Sequence, residues 1–86
     1  MSILSFFGFG KKWDKVKNYI IKPKAQLQDC NLESENLSGM NLEGANLTNA
    51  HLKNADLSRV NLRNAILENA DLTGAIQHFL ILHFLS

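Results

Sequence analysis

The sequence predicts an all-β solenoid, in which the chain winds into stacked coils around a narrow apolar interior. The first observation is an unbroken series of leucines at every fifth position. A period of five matches neither the period of 2 of a strand nor the period of 3.6 of an α-helix. A short fixed repeat is typical of solenoids, where each unit buries its apolar side chain against the next coil. The leucines expected in this core are Leu27, Leu32, Leu37, Leu42, Leu47, Leu52, Leu57, Leu62, Leu67 and Leu72.

The positions around each leucine give the second observation. A small residue usually stands two positions before the leucine, Asn or Asp usually stands one position before it, and two polar residues or glycines follow it. Because side chains alternate along an extended segment, the leucine and the small residue are both predicted to point inward. Asn, Asp, Gly and Ser tolerate tight turns and positive φ, so these residues are predicted at the corners of each coil.

A longer spacing predicts the number of sides. Large residues replace the small one at Met40, Val60 and Leu80, which are twenty residues apart. These three residues stack on one face if each coil contains twenty residues, and each coil then has four sides of five residues. Neighbours on adjacent coils lie twenty positions apart in this arrangement, so Glu43 is expected to face Arg63.

The pattern Ala-Asn/Asp-Leu-polar-polar resembles the pentapeptide repeat family, and residues 45–49, 55–59 and 70–74 are close to ideal copies of it. The resemblance covers residues 25–76. It implies a right-handed quadrilateral β-helix, in which four pentapeptides form one square coil. The chain would then contain about 2.5 coils of twenty residues. Because both ends of so short a solenoid expose unpaired backbone groups, the flanking segments, residues 1–24 and 77–86, are expected to act as caps.

The first flanking segment, residues 1–24, is a basic and aromatic arm with six lysines and one aspartate, a net charge of +5. Residues 11–21 have the spacing of a short amphipathic helix, with Trp13, Val16 and Ile20 on one side and lysines on the other. Pro23 marks the junction with the solenoid because proline disfavours helix in the residue before it. The arm is expected either to close the first coil or to dock on an anionic membrane or an acidic protein groove. The residues assigned to docking are Phe6, Phe7, Phe9, Lys11, Lys12 and Trp13.

The second flanking segment, residues 77–86, is apolar, and either a further stretch of coil or a short helix fits its spacing. It contains more large apolar residues than one lumen can hold, and isoleucine replaces Asn or Asp at two repeat positions nearby. An apolar patch of this kind usually marks an interface. The resemblance agrees, since pentapeptide repeat proteins often dimerise through their C-terminal ends. The alternative is that the segment caps the last coil within one chain. The predicted interface, with a second copy or another protein, is formed by Ile66, Ile76, Phe79, Ile81 and Phe84.

The residues give little reason to expect catalysis. The one cysteine, Cys30, stands at an inward position and is predicted to be a core thiol. His78 and His83 share an outward repeat position but have no carboxylate or thiol partner, so no metal site is predicted. Polar side chains are spread over regular solvated faces, and no glycine-rich phosphate motif is present. We therefore predict that the protein is not an enzyme and has no catalytic residues and no cofactor.

Two non-enzymatic functions remain. The first is a protein-binding or scaffold module that docks on a larger protein or a membrane-associated complex through its arm. Such a module is expected in the cytoplasm or peripherally on the cytoplasmic face of a membrane, since no apolar run approaches the ~20 residues that span a bilayer. The alternative, implied by the resemblance, is a DNA-mimicking modulator of a type II topoisomerase.

Charge favours the first function. Residues 25–86 have a net charge of −4, which is small for a DNA mimic, and the arm of +5 is attached to them. Direct nucleic-acid binding is not expected, because the lysines would stand beside a repelling acidic surface.

Overall fold

The computed structural model describes residues 13–78, which form a solenoid preceded by a two-stranded hairpin. Neighbouring coils are joined at a constant offset of twenty residues, and backbone hydrogen bonds run in both directions between them. The Leu27 N–H donates to the Asn46 carbonyl at 2.8 Å, and the Asn46 N–H donates to the Ala25 carbonyl at 2.9 Å. Because successive bridge positions are five residues apart, each coil has four sides. The parallel bridges are Gln26–Asn46, Asn31–His51, Asn36–Asp56, Asn41–Asn61, Asn46–Ile66, His51–Asp71 and Asp56–Ile76.

This register agrees with the predicted coil of twenty residues. The Gly44 N–H donates to the Arg63 carbonyl at 2.8 Å, so the backbones around Glu43 and Arg63 lie side by side. Their side chains do not form an ion pair. Within residues 13–78 the salt bridge found joins Lys17 to Glu35 instead. Backbone pairing, rather than charge, therefore aligns one coil on the next.

The corners of the coil are tight turns that need a positive φ. The residue two positions after each leucine has a φ between 58° and 75°. The next residue closes the turn, as where the Cys30 N–H donates to the Leu27 carbonyl at 3.2 Å. In a type II turn of four residues, the third residue has a positive φ. Such a turn favours Gly or Asn as its third residue and proline as its second. Pro23 occupies that second position in the first turn, where Lys24 has a φ of 62°.

The interior is filled by the repeat leucines and the small residues before them. The leucines of the first two coils are between 0 and 4% exposed. Leu67 and Leu72, nearer the C-terminal end, are only partly buried. The inward-facing small residues also become more exposed along the chain. Ala25 and Cys30 are buried, whereas Ala70 and Ala75 are only partly buried. The buried leucines are Leu27, Leu32, Leu37, Leu42, Leu47, Leu52, Leu57 and Leu62.

The amphipathic helix predicted for residues 11–21 is wrong in the part that the structure describes. Strand β1 (Asp14–Val16) and strand β2 (Tyr19–Ile21) form an antiparallel hairpin, with Val16 opposite Tyr19. Residues 17–18 form the turn between the two strands, and Lys17 has a positive φ of 59° there. β-Branched and aromatic residues favour strands, and spacings of three and four along a short segment do not exclude one. No helix that could cross a bilayer occurs among residues 13–78.

The hairpin covers the first coil of the solenoid. Ile21 is 1% exposed, and Val16 and Tyr19 pack partly buried against the same core. The hydroxyl of Tyr19 accepts a hydrogen bond from the Asn31 N–H at 3.2 Å. The cap is thus built from apolar packing, with this hydrogen bond and the Lys17–Glu35 ion pair as polar contacts to the coil beneath it. Residues 77–86 were predicted to cap the other end, but all except Gln77 and His78 lie outside the described residues.

Candidate functional site

The outward residue before each leucine has a structural role at most positions. Its side-chain oxygen accepts a hydrogen bond from the backbone N–H two residues later, as an Asx turn does. The distances between nitrogen and oxygen are 2.9–3.2 Å. The residues that make this contact are Asn31, Asn36, Asn41, Asn46, Asp56, Asn61 and Asp71.

Two isoleucines interrupt this pattern near the C-terminal end. Ile66 and Ile76 occupy the same repeat position, but their side chains cannot accept the hydrogen bond, and they are 48% and 44% exposed. They are ten residues apart, half of one coil, so they lie on opposite sides of the solenoid. Each isoleucine is bridged to the preceding coil: Ile66 pairs with Asn46, and Ile76 pairs with Asp56. The two residues therefore lie on the rim of the C-terminal end and do not share one lateral face.

The other residues assigned to this interface, Phe79, Ile81 and Phe84, lie outside the described residues. Between the two isoleucines, the end of the solenoid presents partly buried apolar side chains, among them Leu67 and Leu72. We call the set Ile66, Leu67, Leu72 and Ile76 the C-terminal rim. It combines exposed and partly buried apolar surface at one end of the molecule.

A second candidate surface lies on the hairpin. Val16, Tyr19 and Ile21 face the core, so the alternation of a strand directs Lys15 and Ile20 to the opposite side, where they are paired. Trp13 and Lys22 flank these strands and are also exposed. We call Trp13, Lys15, Ile20 and Lys22 the outer face of the hairpin. Of the residues that the sequence assigned to docking, only Trp13 is described here; Phe6, Phe7, Phe9, Lys11 and Lys12 lie outside the described residues.

Sequence reasoning passed over one charged residue. Glu35 stands two positions before Leu37, where the repeat otherwise places a small or apolar residue. It lies in the first coil, beneath the hairpin, and the Lys17 Nζ is 3.7 Å from its Oε2. Both side chains remain partly exposed, so this contact is a weak surface ion pair between the hairpin and the coil. The departure from the repeat was visible in the sequence, but the partner was not.

Two aspartates on the later coils have lowered pKa values. The hydroxyl and backbone N–H of Ser58 both donate to Asp56, and these hydrogen bonds hold the pKa of its carboxyl below the usual value. Hydrogen bonds from Thr73, with smaller contributions from the charges of Lys53 and His51, do the same for Asp71. Both carboxyls favour the ionised form that accepts hydrogen bonds. Their shifts follow from their role in the turns.

Other chemistry finds little support in this part of the molecule. Cys30 is buried at the predicted inward position, and burial raises the pKa of its thiol, which keeps it in the unreactive protonated form. Within residues 13–78 no group of His, Cys, Asp and Glu could hold a metal ion. The same residues enclose no pocket. The candidate sites in this part of the chain are the C-terminal rim and the outer face of the hairpin.

Comparisons with known proteins agree with this geometry. The family model described as pentapeptide repeats (8 copies) matches residues 25–64 and, overlapping with them, residues 41–76. The chain is similar to a pentapeptide repeat protein, Rfr23, from the cyanobacterium Cyanothece 51142, whose crystal structure is known. The two sequences are 31% identical, and the two structures superpose with a TM-score of 0.62. The alignment covers 79% of this chain and 50% of Rfr23, so the chain spans about half the length of that protein. No curated protein matches the sequence significantly.

Proposed function

Because the chain belongs to the pentapeptide repeat family, we propose that it is a small, rigid protein-binding module. Proteins of this family form right-handed quadrilateral β-helices and are generally not enzymes. The four-sided coil of twenty residues fits that architecture. A short solenoid of this kind presents flat faces and two ends, and its function then depends on which of these surfaces contacts another molecule.

The observation that carries the proposal is the exposure of Ile66 and Ile76. Asn or Asp at either position would close a turn with a hydrogen bond, whose net contribution is about 0.5–1.5 kcal/mol. Isoleucine gives up that bond and leaves almost half of an apolar side chain in water. Neither effect stabilises the isolated chain. A contact that buries both side chains would explain why isoleucine stands at these positions.

The arrangement of the C-terminal rim favours a second copy of the chain as the partner. Ile66 and Ile76 lie on opposite sides of the solenoid, so a partner that covers both must meet the end of the solenoid rather than one side. In a two-fold contact between two such ends, apolar rim residues of one copy meet apolar rim residues of the other. A surface that is self-complementary in this way is what an isologous dimer requires.

Light scattering behind size exclusion tests this contact. We expect the full chain to form a dimer at high micromolar concentration and the variant Ile66→Asn/Ile76→Asn to be a monomer with unchanged circular dichroism. His51→Asn is the matched control, because it restores an Asn at the same repeat position without altering the rim. A wild-type chain that stays monomeric, or a double variant that associates as strongly as wild type, would rule out the rim as the contact.

We also propose that the arm, residues 1–24, docks the module on a larger protein or a membrane-associated complex. The described part of the arm supports this role, because the outer face of the hairpin combines lysines with exposed Trp13 and Ile20. The buried side of the same hairpin holds the first coil, so one short segment can act both as a cap and as a docking surface.

The alternative function, DNA mimicry toward a type II topoisomerase, has weaker support. Such a mimic needs a continuous acidic surface, whereas the carboxylates of residues 25–76 are distributed over all four sides and alternate with Lys53, Arg59 and Arg63. A supercoiling assay with DNA gyrase tests the alternative. Inhibition, or protection from a gyrase-targeting drug, at micromolar protein would favour mimicry over the binding module.

A further inference from the structure

The outer face of the hairpin has an ordered pattern of charge and apolar surface. The register places Lys15 opposite Ile20, and Trp13 and Lys22 directly flank the two strands. The outer face therefore exposes two lysines beside two apolar side chains. Ile20 is 51% exposed and Trp13 is 39% exposed, so both offer apolar area beside the two ammonium groups. Among residues 13–78, the large exposed apolar side chains other than these two are Ile66 and Ile76 of the C-terminal rim.

The opposite side of the same strands packs against the first coil. Ile21 is buried in the core, Tyr19 accepts a hydrogen bond from the backbone of Asn31, and Lys17 reaches Glu35. A two-stranded hairpin alone is marginally stable in water, so these contacts keep the outer face in one orientation. The face points away from the acidic coils, because the hairpin lies on the end of the solenoid.

We propose that the outer face of the hairpin, formed by Trp13, Lys15, Ile20 and Lys22, docks on the surface of an anionic lipid membrane. The inference rests on the proposed docking role of the arm and assigns its partner and its side chains. It does not depend on the contact at the C-terminal rim.

The chemistry of the face favours a lipid surface over a protein groove. Tryptophan prefers the interface between headgroups and acyl chains, and lysines reach anionic headgroups from a long apolar stem. The preceding sequence continues the same composition, with three phenylalanines in residues 1–10 followed by Lys11 and Lys12. Docking through this face would direct the acidic coils, with a net charge of −4, away from the anionic surface.

Co-sedimentation with vesicles tests the proposal on the full chain. We expect binding to phosphatidylcholine vesicles containing 30% phosphatidylglycerol, with little binding to phosphatidylcholine alone and less binding as salt increases. The variant Lys15→Gln/Lys22→Gln should lower the partition coefficient about 30-fold, given the ~1 kcal/mol that each lysine contributes near such a surface. Ile20→Thr should lower it several-fold while keeping a β-branched residue in the strand. Lys53→Gln, which removes one charge from the side of the solenoid, is the matched control for a single lysine and should bind as wild type does.

Fluorescence then locates the contact on the protein. Trp13 is the sole tryptophan of the sequence, so its emission reports on this face alone. We expect a blue shift on adding anionic vesicles and quenching by lipids brominated on the acyl chains. Co-sedimentation without quenching of Trp13 would assign binding to another segment and overturn the proposal.

Other results would also reject lipid docking while leaving the proposed protein contact intact. These are equal binding to neutral and anionic vesicles, no loss of binding in the lysine variant, or no vesicle binding by a chain that still self-associates. Loss of self-association in Ile66→Asn/Ile76→Asn with normal vesicle binding would separate the two surfaces completely.

Discussion

The two ends of the solenoid are built from the same repeat but have different environments. At the N-terminal end, Leu32 and Leu37 are completely buried, and the hairpin adds Ile21 to the core. At the C-terminal end, Leu67 and Leu72 are partly buried and two isoleucines are exposed. A repeat leucine therefore has no fixed burial of its own, because burial depends on what covers the coil. The hairpin packs on the first coil, whereas the apolar side chains of the C-terminal rim are more exposed.

The largest expected effect compares a lysine substitution at the two ends. Leu37→Lys places an unpaired ammonium in a closed apolar lumen, so we expect the cooperative thermal transition to disappear. Leu72→Lys should leave a folded chain, because a partly buried lysine can extend its charged group into water. Circular dichroism melts measure both variants. Equal loss of folding in the two variants would show that the C-terminal end is as tightly closed as the N-terminal end.

A smaller effect is expected from trimming isoleucine at each end. Ile21→Ala removes a fully buried side chain from the cap and should lower the free energy of unfolding by about 2–5 kcal/mol. Ile76→Ala removes an exposed side chain and should change the free energy of unfolding by no more than about 0.5 kcal/mol in a dilute, monomeric sample. Urea unfolding at low micromolar concentration gives both values. A large loss in Ile76→Ala would mean that this residue is part of the core.

A weaker contribution is expected from the polar contact of the cap. Tyr19→Phe removes the hydroxyl that accepts from the Asn31 N–H and should lower the free energy of unfolding by about 0.5–1.5 kcal/mol. The N–H is near solvent, so water can replace the lost acceptor and the effect should lie near the lower value. Hydrogen exchange at Asn31 should increase, whereas exchange at Ile76 should not. Faster exchange at both ends would show that the cap controls the whole solenoid rather than the first coil.

The smallest expected effect is the loss of stability at low pH. The turns of the first coil at Asn31 and Asn36 use neutral acceptors, whereas two of the later turns use Asp56 and Asp71, whose pKa values are lowered in the folded chain. A lowered folded pKa means that the unfolded chain takes up protons first, so this stabilisation is present above about pH 4 and is lost as the pH falls below it. Hydrogen exchange should therefore increase first in the later coils on acidification. Asp56→Asn keeps the acceptor oxygen and should reduce that increase; an unchanged pH profile would remove Asp56 as its cause.

The segment before the solenoid shows why the local sequence pattern was insufficient to distinguish a helix from a hairpin. Val16 and Ile20 are four residues apart, which fits one side of a helix, whereas Val16, Tyr19 and Ile21 become the inner side of a hairpin after a turn at Lys17. Both conformations present apolar residues on one side. The choice depends on the end of the first coil, where Tyr19 and Lys17 find partners in Asn31 and Glu35. These partners are 12 and 18 residues away along the chain, beyond the range of a local pattern.

The candidate sites were predicted only in part for a related reason. The exposed isoleucines could be identified because they depart from a repeat whose Asn and Asp have a clear role in the turns. The outer face of the hairpin could not be identified, since Lys15 and Ile20 share a surface only once β1 and β2 are paired.

The sequence by itself determined the solenoid, the coil of twenty residues and the inward positions, because a fixed repeat places the same apolar side chain at the same place in each unit and stacking is what buries it. Only the tertiary structure decided what happens at the ends. An end coil has a neighbour on one side only, so its burial depends on contacts made outside the repeat. At the N-terminal end the hairpin packs against the core, while at the other end Ile66 and Ile76 remain exposed.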